Sequence, residues 1–76
     1  MQRIHYTNHA VDAVRERNLD KELVESAVTA PDWQEAAEEG LWSAFKRINK
    51  KVLRVVVRGK GESVTVVTAY YDRRKV

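Results

Sequence analysis

The sequence has no cysteine, which excludes disulfides and thiolate-ligated metal centres. It has one proline and three glycines, and neither a low-complexity segment nor an internal repeat interrupts it. No apolar run approaches the ~20 residues that cross a bilayer. The opening stretch MQRIHYTNHA carries no apolar core of a secretory signal. These absences give the expectation of a cytoplasmic, bacterial-type protein with no membrane partner. Acidic residues are scarce in the second half. Residues 40–76 hold only Glu62 and Asp72 against ten basic side chains, a balance of +8, whereas residues 1–39 hold nine acids against Arg3, Arg15, Arg17 and Lys21, a balance of −5. The overall charge of +3 hides this split. It implies a basic surface facing an anionic partner, RNA or DNA first, or more plainly a head-to-tail contact or ordinary solvated charge.

What is present is enough for one folded domain, residues 1–76. With 43% hydrophobic residues the chain is set apart from disordered sequences. At this length it buries only a little over ~60% of its unfolded surface, so its core must be compact.

Arg3-Ile4-His5-Tyr6 reads as a short edge strand. Thr7 is placed to cap a first helix, its hydroxyl accepting from a backbone N–H two or three residues on. That helix presents Ala10, Val11 and Val14 inward and Asp12, Arg15 and Glu16 outward. It stops at Asn18, a residue type that tolerates the left-handed conformation. Leu19 returns to the core, and Asp20 caps a second helix with Leu23, Val24, Ala27 and Val28 facing in. Pro31 ends that helix, because a proline pushes the preceding residue out of helical geometry.

Beyond the acidic QEAAEEG the period changes, and Leu41–Ile48, 52–58 and Ser63–Tyr71 read as strands. Gly59-Lys60-Gly61-Glu62 is a hairpin signal. An even-length loop there pairs Val57 with Val64, Val55 with Val66 and Leu53 with Thr68 beneath the helices. The opposite face then carries Val52, Arg54, Val56 and Arg58 beside Thr65, Val67, Ala69 and Tyr71. A three-residue turn at Asn49-Lys50-Lys51 puts Lys46 on the Arg54 face; a two-residue turn puts it on the other. The expected fold is α+β: two N-terminal helices on a three- to four-stranded antiparallel meander, with the N-terminal segment as a possible extra edge strand.

Three constellations bear on chemistry. His5, His9 and Asp12 have spacings that suggest a metal site, but His5 precedes the cap at Thr7 and falls outside the helix geometry, so no metal is expected. His9 sits near a helix N-terminus, where the macrodipole disfavours imidazolium. A neutral ring suits a general base, which Asp12 could orient; equally, His9 seals the end of the core. The stretch FKRINKKVLRVVVRGK sets Lys46, Arg47, Lys50, Lys51, Arg54, Arg58 and Lys60 near Trp42, Phe45, Tyr70 and Tyr71. Cations that track phosphates beside aromatic faces that stack on bases suit single-stranded RNA, while lysines also protect strand edges. Arg54 interrupts a valine run in a central strand and needs a partner, either Asp72 or a phosphate.

HAVDAVRERNL followed by APDW, FKRI, VLRVVV and VTAYYDRR resembles a small bacterial family, domain of unknown function 4258, over almost the whole chain. The family is similar to the RelE/ParE/barnase-like group of metal-independent ribonuclease toxins. The resemblance implies roles for His9, Arg17, Lys46, Arg54 and the Tyr71-Asp72 end. Many relatives carry a basic residue four after the helix histidine, where this chain has Ala13. The implied activity is a cofactor-free endoribonuclease. His9 or Tyr71 would move the proton of a ribose 2′-hydroxyl, and Lys46 and Arg54 would stabilise charge on the phosphoryl group. Arg17, Trp42, Arg47, Arg58 and Arg73 would hold RNA, and an acidic antitoxin-like protein would be the partner. The alternative is a non-catalytic module that binds nucleic acid or protein, or homodimerises, through the sheet face, where Val52, Val56, Val67 and Ala69 supply apolar area.

Overall fold

A computed structural model describes residues 2–73. The elements run β1 (Arg3–Tyr6), α1 (Asn8–Glu16), α2 (Lys21–Thr29), β2 (Trp33–Ala36), β3 (Leu41–Ile48), β4 (Lys51–Arg58) and β5 (Ser63–Tyr71). The fold is α+β, as expected, but the sheet has five strands in the order β1-β5-β4-β3-β2 and is mixed. β1 is an edge strand paired parallel to β5, with Arg3 opposite Ser63 and Tyr6 opposite Val66. The other pairs are antiparallel. No helix among the described residues is long and apolar enough to cross a membrane.

Local chemistry sets the helix ends. The Thr7 hydroxyl accepts from the Ala10 N–H, and the Asp20 carboxylate accepts from the Glu22 N–H. These caps satisfy N–H groups that a helix start leaves without partners. Asn18 follows α1 in the left-handed region, φ 52°, and Ala30 turns extended at φ −141° ahead of Pro31. One expectation for α1 fails. Val11 is 49% exposed while Ala13 is 2% exposed, because the helix lies close over β5 on its alanine side.

Both helices pack on one face of the sheet. Ala10, Leu19, Val24, Ala27 and Val28 meet Leu53, Val55, Val57, Val64, Val66 and Ala69 in a single core. Each fully buried valine or leucine removes enough apolar surface to contribute about 1.5–3 kcal/mol.

The β4–β5 register differs from the even-loop expectation. Val57 faces Val66, Val55 faces Ala69 and Leu53 faces Tyr71, with a bulge between Val56 and Val57. Two causes act together. The loop is longer than four residues, since the last pair before it is Arg58 with Thr65. Val67 then has no β4 partner, and an extra residue in one strand exchanges its two faces from that point on. The exchange turns Ala69 and Tyr71 to the helix side and leaves Thr68 and Tyr70 opposite Val56 and Arg54. Strict alternation would instead have placed the Thr68 hydroxyl under α1.

β2 was not expected as a strand. Its Trp-Gln-Glu-Ala sequence has little intrinsic strand preference apart from the tryptophan. It forms by pairing with β3, Trp33 against Phe45 and Ala36 against Trp42.

Candidate nucleic-acid interface

On the face turned from the helices, four side chains lie in one row across four strands. Trp33 on β2 is opposite Phe45 on β3, Phe45 is opposite Arg54 on β4, and Arg54 is opposite Tyr70 on β5. The Trp33 and Phe45 rings stack with centroids 4.9 Å apart and planes within 4°. The Arg54 guanidinium lies 5.3 Å from the Phe45 centroid and 5.9 Å from that of Tyr70. Arg47 extends the row, its guanidinium 5.6 Å from the Trp33 centroid. Cation–π contacts between aromatic and guanidinium planes hold such a row in register.

Arg54 has the partner that its position demands. Nη1 donates to Asp72 Oδ2 at 3.2 Å and Nε donates to Ser43 Oγ at 3.1 Å. Asp72 and Ser43 are both buried, and the Arg54 side chain keeps 23% exposure. The Asp72 backbone N–H donates to the Val52 carbonyl at 2.8 Å, which secures the carboxylate at the end of β5. Of the two partners open to Arg54 from the sequence, the structure shows Asp72. The guanidinium is thus a fixed structural cation as well as a surface one.

The other expected residues do not gather around it. The β3–β4 turn pairs Ile48 with Lys51 across two residues, so Lys46 falls on the Leu53 side, and its Nζ donates to the Ala30 carbonyl at 3.2 Å at the end of α2. Tyr71 also lies on the helix side, with Lys51 Nζ 5.1 Å from its ring centroid. His9 is exposed on α1, beyond the helix layer from Arg54. Asp12 does not orient it, because the Asp12 carboxylate accepts from Arg15 Nη2 at 2.9 Å. His5 projects on the face away from the helices, on the row of Thr65 and Arg58, so the two histidines are on opposite sides of the sheet. Arg17 is exposed behind α1. Trp42 packs beside the core, its Nε1 donating to the Gly59 carbonyl at 2.7 Å. Arg47 and Arg58 do share the Arg54 face and are exposed there. Arg73 stands at the end of β5, exposed.

The face is completed by residues that sequence reasoning did not place on it. Trp33 donates from Nε1 to Glu35 Oε2 at 3.2 Å, and the alternation Trp33, Glu35 was its only strand signal. Tyr70 was hidden by the bulge. The apolar area expected here shrinks, since Ala69 faces the core and Val52 is 1% exposed.

The sequence profile of domain of unknown function 4258 (DUF4258) matches residues 6–71, from the last residue of β1 to the last of β5. The chain belongs to the DUF4258 family. No curated protein and no solved structure matches it. In this DUF4258 domain the matched region therefore contains the whole Trp33–Phe45–Arg54–Tyr70 row. Ala13, four residues after His9, is packed inward.

Proposed function

We propose that this DUF4258 domain is a non-catalytic module that binds single-stranded RNA on the sheet face turned from the helices. The observation that carries the reading is the in-register row of Trp33, Phe45, Arg54 and Tyr70, half-exposed at both ends and flanked by exposed Arg47 and Arg58. Trp33 and Tyr70, half-buried on either side of the fully buried Phe45, offer planes to unstacked bases, and neighbouring guanidinium groups pair with the phosphates between them. Arg54, held by Asp72 and Ser43, keeps the platform flat rather than reaching for solvent.

The resemblance to ribonuclease toxins supports the same ligand class but asks for more chemistry than this face holds. A nucleophile-activating base must stand within hydrogen-bond reach of the proton it takes, and His9, Lys46 and Tyr71 lie off the Arg54 face. A protein partner or a second copy on the same face would need apolar area, and Val52 and Ala69, expected to supply part of it, are buried.

The test is fluorescence anisotropy with a labelled single-stranded oligoribonucleotide, followed by electrophoresis of the same RNA. Saturable binding that weakens with salt and is weaker in Arg47→Ala/Arg58→Ala, with the RNA intact, is the expected result. Absence of binding at low salt overturns the reading. Cleaved RNA would establish the endoribonuclease instead, and a dimer or an acidic protein complex that buries Tyr70 would establish the protein-docking module.

A further inference from the structure

A second concavity lies where the β3–β4 turn meets the end of β5. It is a cavity of about 180 Å³ lined by Lys50, Lys51, Val52, Tyr71, Asp72 and Arg73. Asn49, in the left-handed region at φ 56°, makes the turn tight, and the Ile48–Lys51 pair closes it. This brings two consecutive lysines of the turn against the last residues of β5. Lys51 Nζ is held 5.1 Å from the Tyr71 ring centroid.

The charges in this cavity do not balance internally. Its one acid, Asp72, is 4% exposed and hydrogen-bonded to Arg54. The ion pairs among the described residues are Arg15–Asp12 and Arg54–Asp72, and neither involves Lys50, Lys51 or Arg73. The Tyr71 hydroxyl makes no hydrogen bond to a described residue. Three cations line the cavity against one carboxylate that Arg54 already engages, and an anion among them would offset the excess positive charge. The residue types lining it, two lysines, an arginine and a tyrosine, are those that recognise a doubly charged, tetrahedral oxyanion. The volume is below the ~300 Å³ where pockets for whole small molecules begin, so the cavity fits a phosphate head group rather than a nucleotide.

We propose that this cavity is a phosphate-binding site that takes a phosphate monoester group. It adjoins the aromatic row through the Asp72–Arg54 bond, but its lysines and Arg73 are not part of that row and it does not depend on that face binding RNA. If the RNA reading also holds, the ester is the phosphorylated end of the strand. If it does not, the ester belongs to a small phosphorylated molecule.

Amide NMR during titration with inorganic phosphate tests the site directly. Saturable shifts at Lys50, Lys51, Tyr71 and Arg73, absent in Lys50→Ala/Arg73→Ala, are expected. Both substituted residues are exposed, so the variant keeps its spectrum elsewhere. Comparing 5′-phosphorylated with 5′-hydroxyl oligoribonucleotide separates the sources. A preference of about tenfold that vanishes in the double variant assigns the site to a strand end. Phosphate binding without that preference supports the site and assigns it to a free phosphorylated molecule. No shift at these residues at millimolar phosphate, or shifts that persist in the double variant, overturns the proposal whatever the RNA does.

Discussion

Arg54 joins two demands that normally conflict, a charge in the middle of a valine strand and an aromatic surface around it. Its two hydrogen bonds and two ring contacts make it hard to replace. Arg54→Ala takes the guanidinium away from a carboxylate that is 4% exposed, and breaking such a pair from one side costs about 3 kcal/mol, less the share lost to the partial exposure of Arg54. Urea denaturation should show most of that loss. Arg54→Lys should recover little of it, because a lysine cannot serve Ser43 and Asp72 with separate planar donors. Tyr6 gives a prediction with a pH signature. Its hydroxyl donates to Glu25 Oε2 at 2.9 Å, and burial first, then that bond and the Glu25 charge, push its phenol well above the ordinary value of 10.0. The native state therefore keeps the proton that the unfolded chain releases. Stability from this group is full below pH 10 and falls as pH rises past it. Tyr6→Phe should be less stable than the parent at neutral pH by about 1 kcal/mol. The gap should narrow in denaturant titrations at about pH 10.5. A constant gap would contradict the assignment.

At the scale of elements, the Thr7 hydroxyl is a junction. It accepts from the Ala10 N–H and donates to the Val67 carbonyl at 3.1 Å, so one side chain caps α1 and ties it to the bulge in β5. Thr7→Ala should cost about 1–2 kcal/mol, while Thr7→Ser keeps both bonds and most of the stability, as thermal unfolding of the two variants would show. This junction explains what the sequence disclosed and what it withheld. Caps, the left-handed Asn18 and the Pro31 stop depend on neighbours a few residues away, and all were legible. The α+β class and the two long hairpins followed from period and turn signals. The β5 register was not legible, because a bulge depends on α1 lying over Ala69 and on a cap residue 60 positions earlier. β2 escaped for a related reason, since its stability comes from the Phe45 ring across the sheet. The geometry around Arg54 shows the effect of both. The Arg54–Asp72 pair was legible, but the bulge sets Tyr70 rather than Tyr71 beside Arg54, Trp33 joins the row from a strand the sequence did not signal, and Lys46, open between two turn lengths, lies on the helix side.

For the whole molecule, the charge split becomes a spatial one. The helices and the β2–β3 turn carry the acids, and β3 to β5 with their turns carry the cations. RNA that engages three phosphates on the basic side should lose roughly twenty-fold in affinity between about 50 and about 200 mM salt. Arg47→Ala/Arg58→Ala should flatten that dependence, which a plot of log affinity against log salt reads directly; a salt-independent affinity would mean an apolar contact instead.

The parallel pairing of β1 with β5 has a consequence for the order of assembly. β1 precedes every other strand in the chain, yet its sheet neighbour among the described residues is Ser63–Val66, which follows them all. Until then Ile4 and Tyr6 have no edge to join, and α1 has no Ala69 to rest on. The sheet therefore cannot zip from one end as the chain emerges, and its completion waits for β5. A released chain ending before Ser63 should be digested throughout by protease, and the same chain extended through Asp72 should resist it.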